Sequence, residues 1–472
     1  MKLPVVLLAT TFLAGCVSVP RDAGFGEVEK AVADRTGHRV VLQEKSDAPT
    51  SDEAIRPLLQ GKLTPDRAVE IALRNNRDLQ AELAELGIAR ADLIDAITIR
   101  NPILDGEIRF PGEPKNPFEI AVTQTLLDLF QLPARRRFGL ALFEASKLRV
   151  TGAVVNFAAE ARTHFYDLQA ARLVLARQRV ITDAAGASTD LARRQHTAGN
   201  ISDLDLENEQ AVYEQAKLDL ARAELEELQT REVLIADLGL VESKVVLDLP
   251  DEFEAIPDNE VALDGLEEKA LAERLDLRVT KQELEAAERR VPISRWAVWD
   301  ELSVGVHRER EPEGSKTTGP ALSIPIPIFN RGEAQRARAS ALLRQAAQRY
   351  AALTVNARSE VRSARERLLE ARARVEYLRD VMLPRRVRIL ALTQLEYNAM
   401  LRGVFQLIQA RQNVANAERE LVLGHRDYWI ARSDLDTALA GVSRFSARPE
   451  MPGFMRVDFF RAPTQLQSKS NE

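Results

Sequence analysis

The sequence predicts a mainly α-helical fold with a small β part. We expect long coiled-coil helical hairpins in two tandem repeats, together with four β-strands per chain. Three observations lead to this prediction: the chain is duplicated, each copy contains one pair of strand-like segments, and very long stretches without proline follow each pair. Repetition at a fixed spacing is typical of an extended architecture built from similar units.

The duplication is visible at two places. Residues 72–79 (ALRNNRDL) recur 198 positions later as residues 270–277 (ALAERLDL). The pattern HxxGxxSxxDL, which begins at His196, returns 201 positions later as YxxMxxGxxQL, which begins at Tyr397. We therefore place the first repeat at residues 63–245 and the second at residues 255–440.

The N-terminus has the features of a secretory signal. A charged start is followed by an apolar run and then by Leu13-Ala14-Gly15-Cys16. This segment resembles a bacterial lipobox, which makes residues 1–15 a signal peptide and Cys16 the lipid attachment site; the alternative is an ordinary cleavage site beside an incidental cysteine. Because Cys16 is the only cysteine, the mature chain can form no intrachain disulfide. Residues 16–62 are interpreted as an anchor and preamble, and residues 441–472 as a flexible C-terminal tail.

The first repeat opens with a helix. Thr64 is a good N-cap and Pro65 suits the first helical position, so the helix is predicted to run from there to about Thr98. Alternating apolar residues bounded by Gly- and Pro-rich turns then predict the strands. The four predicted strands are Ile103–Phe110, Phe118–Leu127, Leu302–His307 and Ala321–Phe329.

Long helices follow each strand pair. Ala134–His196 and Glu333–Leu383 contain no proline, and Pro384 is predicted to kink the second helix without ending it. Return helices are predicted over Ser202–Leu238 and Gly403–Leu439, so each repeat is a hairpin. The second long helix carries a heptad of apolar and small residues, typical of coiled coils: Tyr350, Thr354, Ala357, Val361, Ala364, Leu368, Ala371, Val375, Leu378 and Met382.

Four strands cannot close a membrane barrel, because the smallest barrels have eight strands. After the signal, no apolar run approaches the ~20 residues of a transmembrane helix. If the strands meet lipid, several copies of the chain must share one barrel, and their helices must continue it as a second cylinder.

The chain resembles the TolC family of outer membrane efflux proteins. The resemblance is carried by the segments LTPDRAVEIALRNN, PIPIFNRG, HTAGNISDLDLENEQ and YNAMLRGVFQLIQAR. It implies a homotrimeric β-barrel and α-helical barrel channel in outer membrane lipid, which docks onto a periplasmic adaptor protein and an inner-membrane pump of the RND type. The lipoprotein form and the preamble are similar to the heavy-metal branch, which implies metal cations as cargo.

The resemblance also implies functional residues at the hairpin tips. Family gates use carboxylates in the second hairpin, where this chain has Gln406 and Gln409; the first hairpin instead carries Asp203, Asp205 and Glu207. These five residues are the gate candidates, although exposed hairpin acids also occur without any function. The small or tip residues Gly199, Ser202, Met400 and Gly403 are the adaptor-docking candidates, although Gly and Ser also simply permit chain reversal.

Other classes of function find little support. The five histidines are scattered, so we expect no metal site, and we expect no cofactor. Motifs for serine, zinc and nucleotide chemistry are absent from the sequence, and a net charge of −6 gives no basis for nucleic-acid binding. The alternative that remains open is a lipid-anchored periplasmic coiled-coil scaffold or adaptor without a pore.

Overall fold

A computed structural model describes residues 22–42, 57–110, 116–240, 247–258, 260, 264–311 and 313–442. The signal peptide, Cys16 and all of the predicted tail beyond residue 442 lie outside the described residues. The helices are α1 (Phe25–Thr36), α2 (Pro65–Asn75), α3 (Arg77–Ile97), α4 (Leu127–Thr197), α5 (Asp203–Asp237), α6 (Leu266–Glu273), α7 (Leu275–Trp296), α8 (Glu333–Tyr377), α9 (Leu383–Asn398) and α10 (Val404–Ala440). The strands are β1 (Ile103–Ile108), β2 (Phe118–Thr125), β3 (Ser303–Arg310) and β4 (Lys316–Ser323).

The mainly α-helical prediction with two strand pairs is confirmed. All four strands form one antiparallel sheet in the order β1-β2-β3-β4, so the strand pairs of the two repeats join side by side. Within this sheet Val122 of β2 pairs with Val306 of β3. The sheet is therefore the place where the repeats meet at this end of the molecule.

The predicted position of the fourth strand is wrong. It was placed on the apolar run Ala321–Phe329, whereas β4 occupies the more polar segment Lys316–Ser323 and pairs Lys316 with Arg310. Pro325 and Pro327 have no N–H to donate, so the ladder cannot continue along the apolar run. The strand is instead defined by its register with β3.

The helices continue the order of the strands. β1 follows α3, β2 leads into α4, α7 leads towards β3, and β4 leads towards α8. The packing pairs are α3 with α4, α4 with α7, and α7 with α8, so the helices form a layer in the same order as the sheet. Beyond this layer α5 packs on α4, α4 packs on α10, and α9 packs on α10. The far half is thus ordered α5, α4, α10, α9.

The helix predicted to run from Thr64 to Thr98 is broken at Asn76, where the backbone is extended. The Asn76 side chain accepts a hydrogen bond from the N–H of Leu79 at 2.9 Å and so caps α3. Its Nδ2 also donates to the carbonyl of Asp237 at 3.1 Å, close to the end of α5. One side chain therefore satisfies unpaired backbone groups at the start of one helix and at the end of another.

The second repeat has the same break at Arg274, which lies 198 positions after Asn76. Arg274 is fully buried and donates to the carbonyl of Ala438 near the end of α10 at 3.0 Å. Its charge is compensated by Asp276 at 2.6 Å and by Glu360 of α8 at 2.9 Å. In both repeats a side chain at the helix break therefore donates a hydrogen bond to the end of the return helix. It is an amide in the first repeat and a guanidinium in the second.

The long helices behave largely as predicted. α4 has 71 residues and begins at Leu127, before Pro133 rather than after it as predicted. In the second repeat a five-residue π-helix, Leu378–Met382, lies immediately before Pro384, and the helix continues as α9. The wider π turn relieves the clash between a proline ring and the preceding turn. The heptad prediction is confirmed on α8, whose buried positions include Ala357, Val361, Ala364, Leu368, Ala371 and Val375.

We expect Arg274→Ala to lower the free energy of unfolding by about 3–5 kcal/mol, because it leaves Asp276 and Glu360 in a buried site without their cation. Arg362→Ala is the matched control: this exposed arginine pairs with Glu267 at 3.2 Å, and its loss should cost less than about 1 kcal/mol. Urea titration followed by the helical circular dichroism signal measures both. Equal losses of unfolding free energy in the two variants would contradict the stabilising role assigned to Arg274.

Candidate channel tip and edges

The first hairpin tip joins α4 to α5. Gly199 adopts a left-handed conformation with φ of 73°, which glycine tolerates without strain. The N–H of Asn200 donates to the carbonyl of Gln195 at 2.8 Å, so the helix ends in a Schellman-type reversal. Gly199 therefore allows the turn to form without backbone strain.

Ser202 and Asp205 form a capping box at the start of α5. The hydroxyl of Ser202 accepts a hydrogen bond from the N–H of Asp205 at 3.2 Å, and the Asp205 carboxylate accepts from the hydroxyl of Ser202 at 2.7 Å. These bonds lower the pKa of Asp205. The lowered pKa means that the box is present at neutral pH and is lost as the pH falls through the folded-state pKa. Asp205 thus has a capping role, which the Ser-x-x-Asp spacing could have indicated from the sequence.

The other two acidic gate candidates differ from Asp205. Asp203 lies 2.6 Å from Nε2 of His196, and its side chain is 93% exposed. Glu207 lies one turn further along α5 and is exposed. The three carboxylates therefore lie together on the first turns of one helix, but each has a different environment.

The second tip repeats the reversal with different residues. Met400 occupies the position of Gly199 with φ of 59°, and the N–H of Leu401 donates to the carbonyl of Glu396 at 2.8 Å. Gly403 stands at the N-cap and supplies no side-chain cap to α10. Gln406 and Gln409 are exposed on the first turns of α10. The two tips share a backbone shape, but only the first has a capped return helix.

The second tip is also apolar. Met400 is 93% exposed and Leu401 is 76% exposed, and both lie at the point of chain reversal. Arg402 is held by Glu396 at 2.7 Å beside them. The tip therefore presents a small apolar surface, whereas the first tip presents carboxylates.

Both long edges of the molecule are uncovered. α5 buries only Ala216, Leu234 and Ile235 in 35 residues, and α9 buries none of its residues. The sheet is equally open, because no residue of the four described strands is buried. Apolar side chains that are exposed on these edges and on the sheet include Leu104, Ile120, Val306, Leu322, Leu218, Leu225, Leu392 and Leu395.

An open groove of about 540 Å³ lies between α4, α5 and α10. Its walls carry the amides of Gln178, Asn208 and Asn416 beside the charged Asp219 and Arg419. In the ranges that the structure describes, no group of three or more His, Cys, Asp or Glu side chains is arranged to hold a metal ion. Among the same residues no helix combines the length and the apolar character that a membrane span requires.

Comparison with known proteins identifies the architecture. Residues 266–441, which run from α6 to the end of α10, match the family profile described as outer membrane efflux protein. This part of the chain is therefore similar to the outer membrane efflux protein family. The remaining repeat has the same order of elements, with equivalent breaks at Asn76 and Arg274.

Individual proteins are similar to this chain along most of its length. The cobalt-zinc-cadmium resistance protein CzcC of Cupriavidus metallidurans is 22% identical over 347 residues, which cover 72% of this chain and 81% of CzcC. A crystallised membrane protein from Pseudomonas aeruginosa has a TM-score of 0.66 at 20% identity, and the match covers 79% of this chain and 92% of that one. CusC, a protein that forms a transmembrane channel, has a TM-score of 0.65 at 19% identity, with 81% and 93% covered. These structures share the fold of this chain.

We expect Ser202→Ala to increase amide exchange in the first turn of α5 about fivefold, because an N-cap serine is worth roughly 1 kcal/mol. The converse change, Gly403→Ser with Gln406→Asp, should slow exchange in the first turn of α10 by creating the missing box. Hydrogen exchange measured by mass spectrometry reads both tips in one experiment. Unchanged exchange at both tips would contradict the capping difference.

Proposed function

We propose that this protein is the outer membrane channel of a tripartite efflux system. In this proposal it is a passive homotrimeric conduit from the periplasm to the exterior, and it works with a periplasmic adaptor and an inner-membrane pump of the RND type. The observation that carries the proposal is the open layer, in which four strands continue into four helices in the same order and both edges are uncovered. Such a layer is a segment of a tube.

The number of strands supports a ring of copies. Three chains supply twelve strands, an even number above the minimum of eight for a membrane barrel. Because consecutive strands alternate in direction, β4 of one copy can pair with β1 of the next and preserve the antiparallel pattern. A head-to-tail contact of this kind closes into a ring when the rotation between copies permits it.

The position of α1 supports lipid anchoring through Cys16. Near its start Glu27 pairs with Lys147 of α4 at 2.5 Å, and beyond its end His38 lies 3.7 Å from Asp66. Asp66 in turn pairs with Arg162 of α4 at 3.1 Å. Since α4 runs away from the sheet, α1 does so too, and the start of α1 is its end nearer the sheet.

The distances are compatible with an anchor in the membrane. The stretch of α4 from Leu127 to Phe143, which contacts the start of α1, is about 24 Å long at 1.5 Å per residue. The start of α1 contacts Phe143 at Gly24, and the eight residues from Cys16 to Gly24 can extend over about 27 Å. A lipid on Cys16 can therefore reach the surface of the membrane that holds the sheet.

The tips are assigned to the periplasmic end. Met400 and Leu401 offer an apolar contact for an adaptor, and Gly199, Ser202 and Gly403 let an adaptor approach the backbone closely. Asp203, Asp205 and Glu207 on the first hairpin, with Gln406 and Gln409 on the second, surround the entrance. The energy for transport comes from the pump, so the chain needs no catalytic residue and no cofactor.

Heavy-metal cations are the proposed cargo, because CzcC is named as a cobalt-zinc-cadmium resistance protein. A carboxylate-rich entrance is compatible with passage of cations. A deletion strain exposed to Co²⁺, Zn²⁺, Cd²⁺ and uncharged drugs tests the cargo. Sensitivity to the drugs alone would exclude it.

A channel and a lipid-anchored scaffold differ in how they are held by the membrane. We expect the Cys16→Ala variant, secreted through an ordinary signal peptide, to stay in outer membranes after high-salt and alkaline washing, because its strands are embedded. The wild-type protein is the control, and an immunoblot of pellet and supernatant provides the measurement. Complete release of the variant would favour the scaffold.

Removal of the entrance charges should change ion selectivity. We expect Asp203→Asn with Asp205→Asn to reduce the preference of the reconstituted channel for cations, because fixed carboxylates attract cations locally. The matched control is Glu224→Gln with Glu226→Gln, which removes the same charge further along α5. Reversal potentials in planar bilayers under a salt gradient report the selectivity. Equal selectivity in all three proteins would exclude a gate role for Asp203 and Asp205.

A further inference from the structure

We propose that the acidic helix α5 of one copy binds the basic helix α9 of a second copy, with Glu207 facing Arg388 of the neighbouring copy. The inference rests on the ring of copies in the proposed function and specifies how its helical part is joined. It also gives Glu207, one of the residues at the proposed entrance, a role in assembly.

The two edge helices carry opposite charge. α5 contains eleven carboxylates and three basic residues, whereas α9 contains three arginines and a single glutamate. The protein as a whole is only mildly acidic, with a net charge of −6. The acidic and basic surfaces therefore lie at opposite ends of the order α5, α4, α10, α9, with two helices between them.

The repeat supplies a template for the contact. Within one chain α4 packs on α10, with Arg177 2.9 Å from Glu418 and Arg426 3.8 Å from Asp167. The 201-residue relation of the tips maps α4 onto α8, the π-helix and α9 together, and it maps α10 onto α5. The same packing between copies therefore places α9 of one chain against α5 of the next.

The α4–α10 packing within one chain also indicates which residues of α5 and α9 face each other between copies. Arg177 lies 22 residues from Gly199, and its partner Glu418 lies 18 residues from Met400. With the same offset, Arg385–Arg388 of α9 lie beside residues 207–210 of the neighbouring α5. Glu207 lies at the end of this segment that faces Arg388.

The charged groups at this level are available. Glu207, Arg385 and Arg388 are exposed, and within the described part of the chain no ion pair or side-chain hydrogen bond engages them. Other charges nearby are already paired, since Glu209 accepts a hydrogen bond from Ser188 at 2.5 Å and Glu396 holds Arg402 at 2.7 Å. The available groups, Glu207 on α5 and Arg385 and Arg388 on α9, therefore carry opposite charges.

Exposed apolar side chains accompany the charges. Leu204 is 69% exposed on α5, and Leu392 and Leu395 are 50% and 65% exposed on α9. Apolar residues flanked by opposite charges are the usual composition of a helix pair that selects its partner. Two α5 helices, or two α9 helices, would instead place like charges together, so the charge pattern favours head-to-tail closure.

Cross-linking tests the contact directly. In the full chain, Glu207→Cys with Arg388→Cys is treated with a short bismaleimide after purification in detergent. Two helices separate these positions within one chain, so a link between them must join two chains. We expect covalent dimers and trimers on a denaturing gel. The control, Glu226→Cys with Arg388→Cys, moves the first thiol about 28 Å along α5 and should give no linked chains.

The single variants Glu207→Cys and Arg388→Cys account for any reaction through Cys16, and sizing before the reaction establishes the number of chains. A trimer by size without linked chains overturns the α5–α9 contact but leaves the channel proposal intact. A monomer by size overturns both. Linked chains from the control pair at the same yield also overturn the assignment of Glu207 as the residue that faces Arg388.

Charge reversal provides an independent readout. We expect Glu207→Arg to weaken association of the copies roughly tenfold or more at low salt, because it adds a cation beside Arg385 and Arg388. Adding Arg388→Glu should restore most of this loss, and high salt should reduce the difference. Equal losses in the single and double variants would contradict a direct pairing.

Discussion

The open edge is the constraint on which the structure depends. A single chain folds into an open layer whose strands leave unpaired backbone groups at β1 and β4 and whose edge helices α5 and α9 remain largely uncovered. Unpaired strand edges cannot face lipid, and exposed apolar helix faces are unfavourable in water. In the proposed ring both problems have the same solution, because strands and helices follow one order and a neighbouring copy would cover both edges at once.

Each repeat is also stabilised internally by a side chain at its helix break. A residue at the helix break, Asn76 or Arg274, reaches across to the carbonyl end of the return helix. The hairpin is therefore fixed at its base as well as at its tip, and the long helices can extend away from the sheet without a large globular core. Coiled-coil packing of small residues on α8 then stabilises the length between these two points. The same plan, used twice, gives two similar hairpins with different surfaces.

Much of this fold can be predicted from the sequence, because duplication, prolines and heptads are local patterns. The hairpin tips follow from aligned segments, and the π-helix before Pro384 agrees with the predicted kink. The break at Asn76 was missed because its cause is distant: the end of α5 lies about 160 residues away in sequence. The fourth strand was misplaced because register with β3, rather than apolarity, defines it. The gate candidates Asp203, Glu207, Gln406 and Gln409 follow from no local pattern, because a gate in the proposed ring would form between copies.

In the proposed channel the charges on the edge helices connect assembly with transport. Carboxylates on α5 lie at both the proposed entrance and the proposed seam between copies, so substitutions there act on two properties that must be measured separately. Sedimentation equilibrium of the detergent-solubilised protein, in a solvent that matches the density of the detergent, tests the central claim most directly. The account predicts a buoyant mass of three chains at micromolar concentration. A single chain as the stable species would contradict it, because one copy leaves both edges of the layer open.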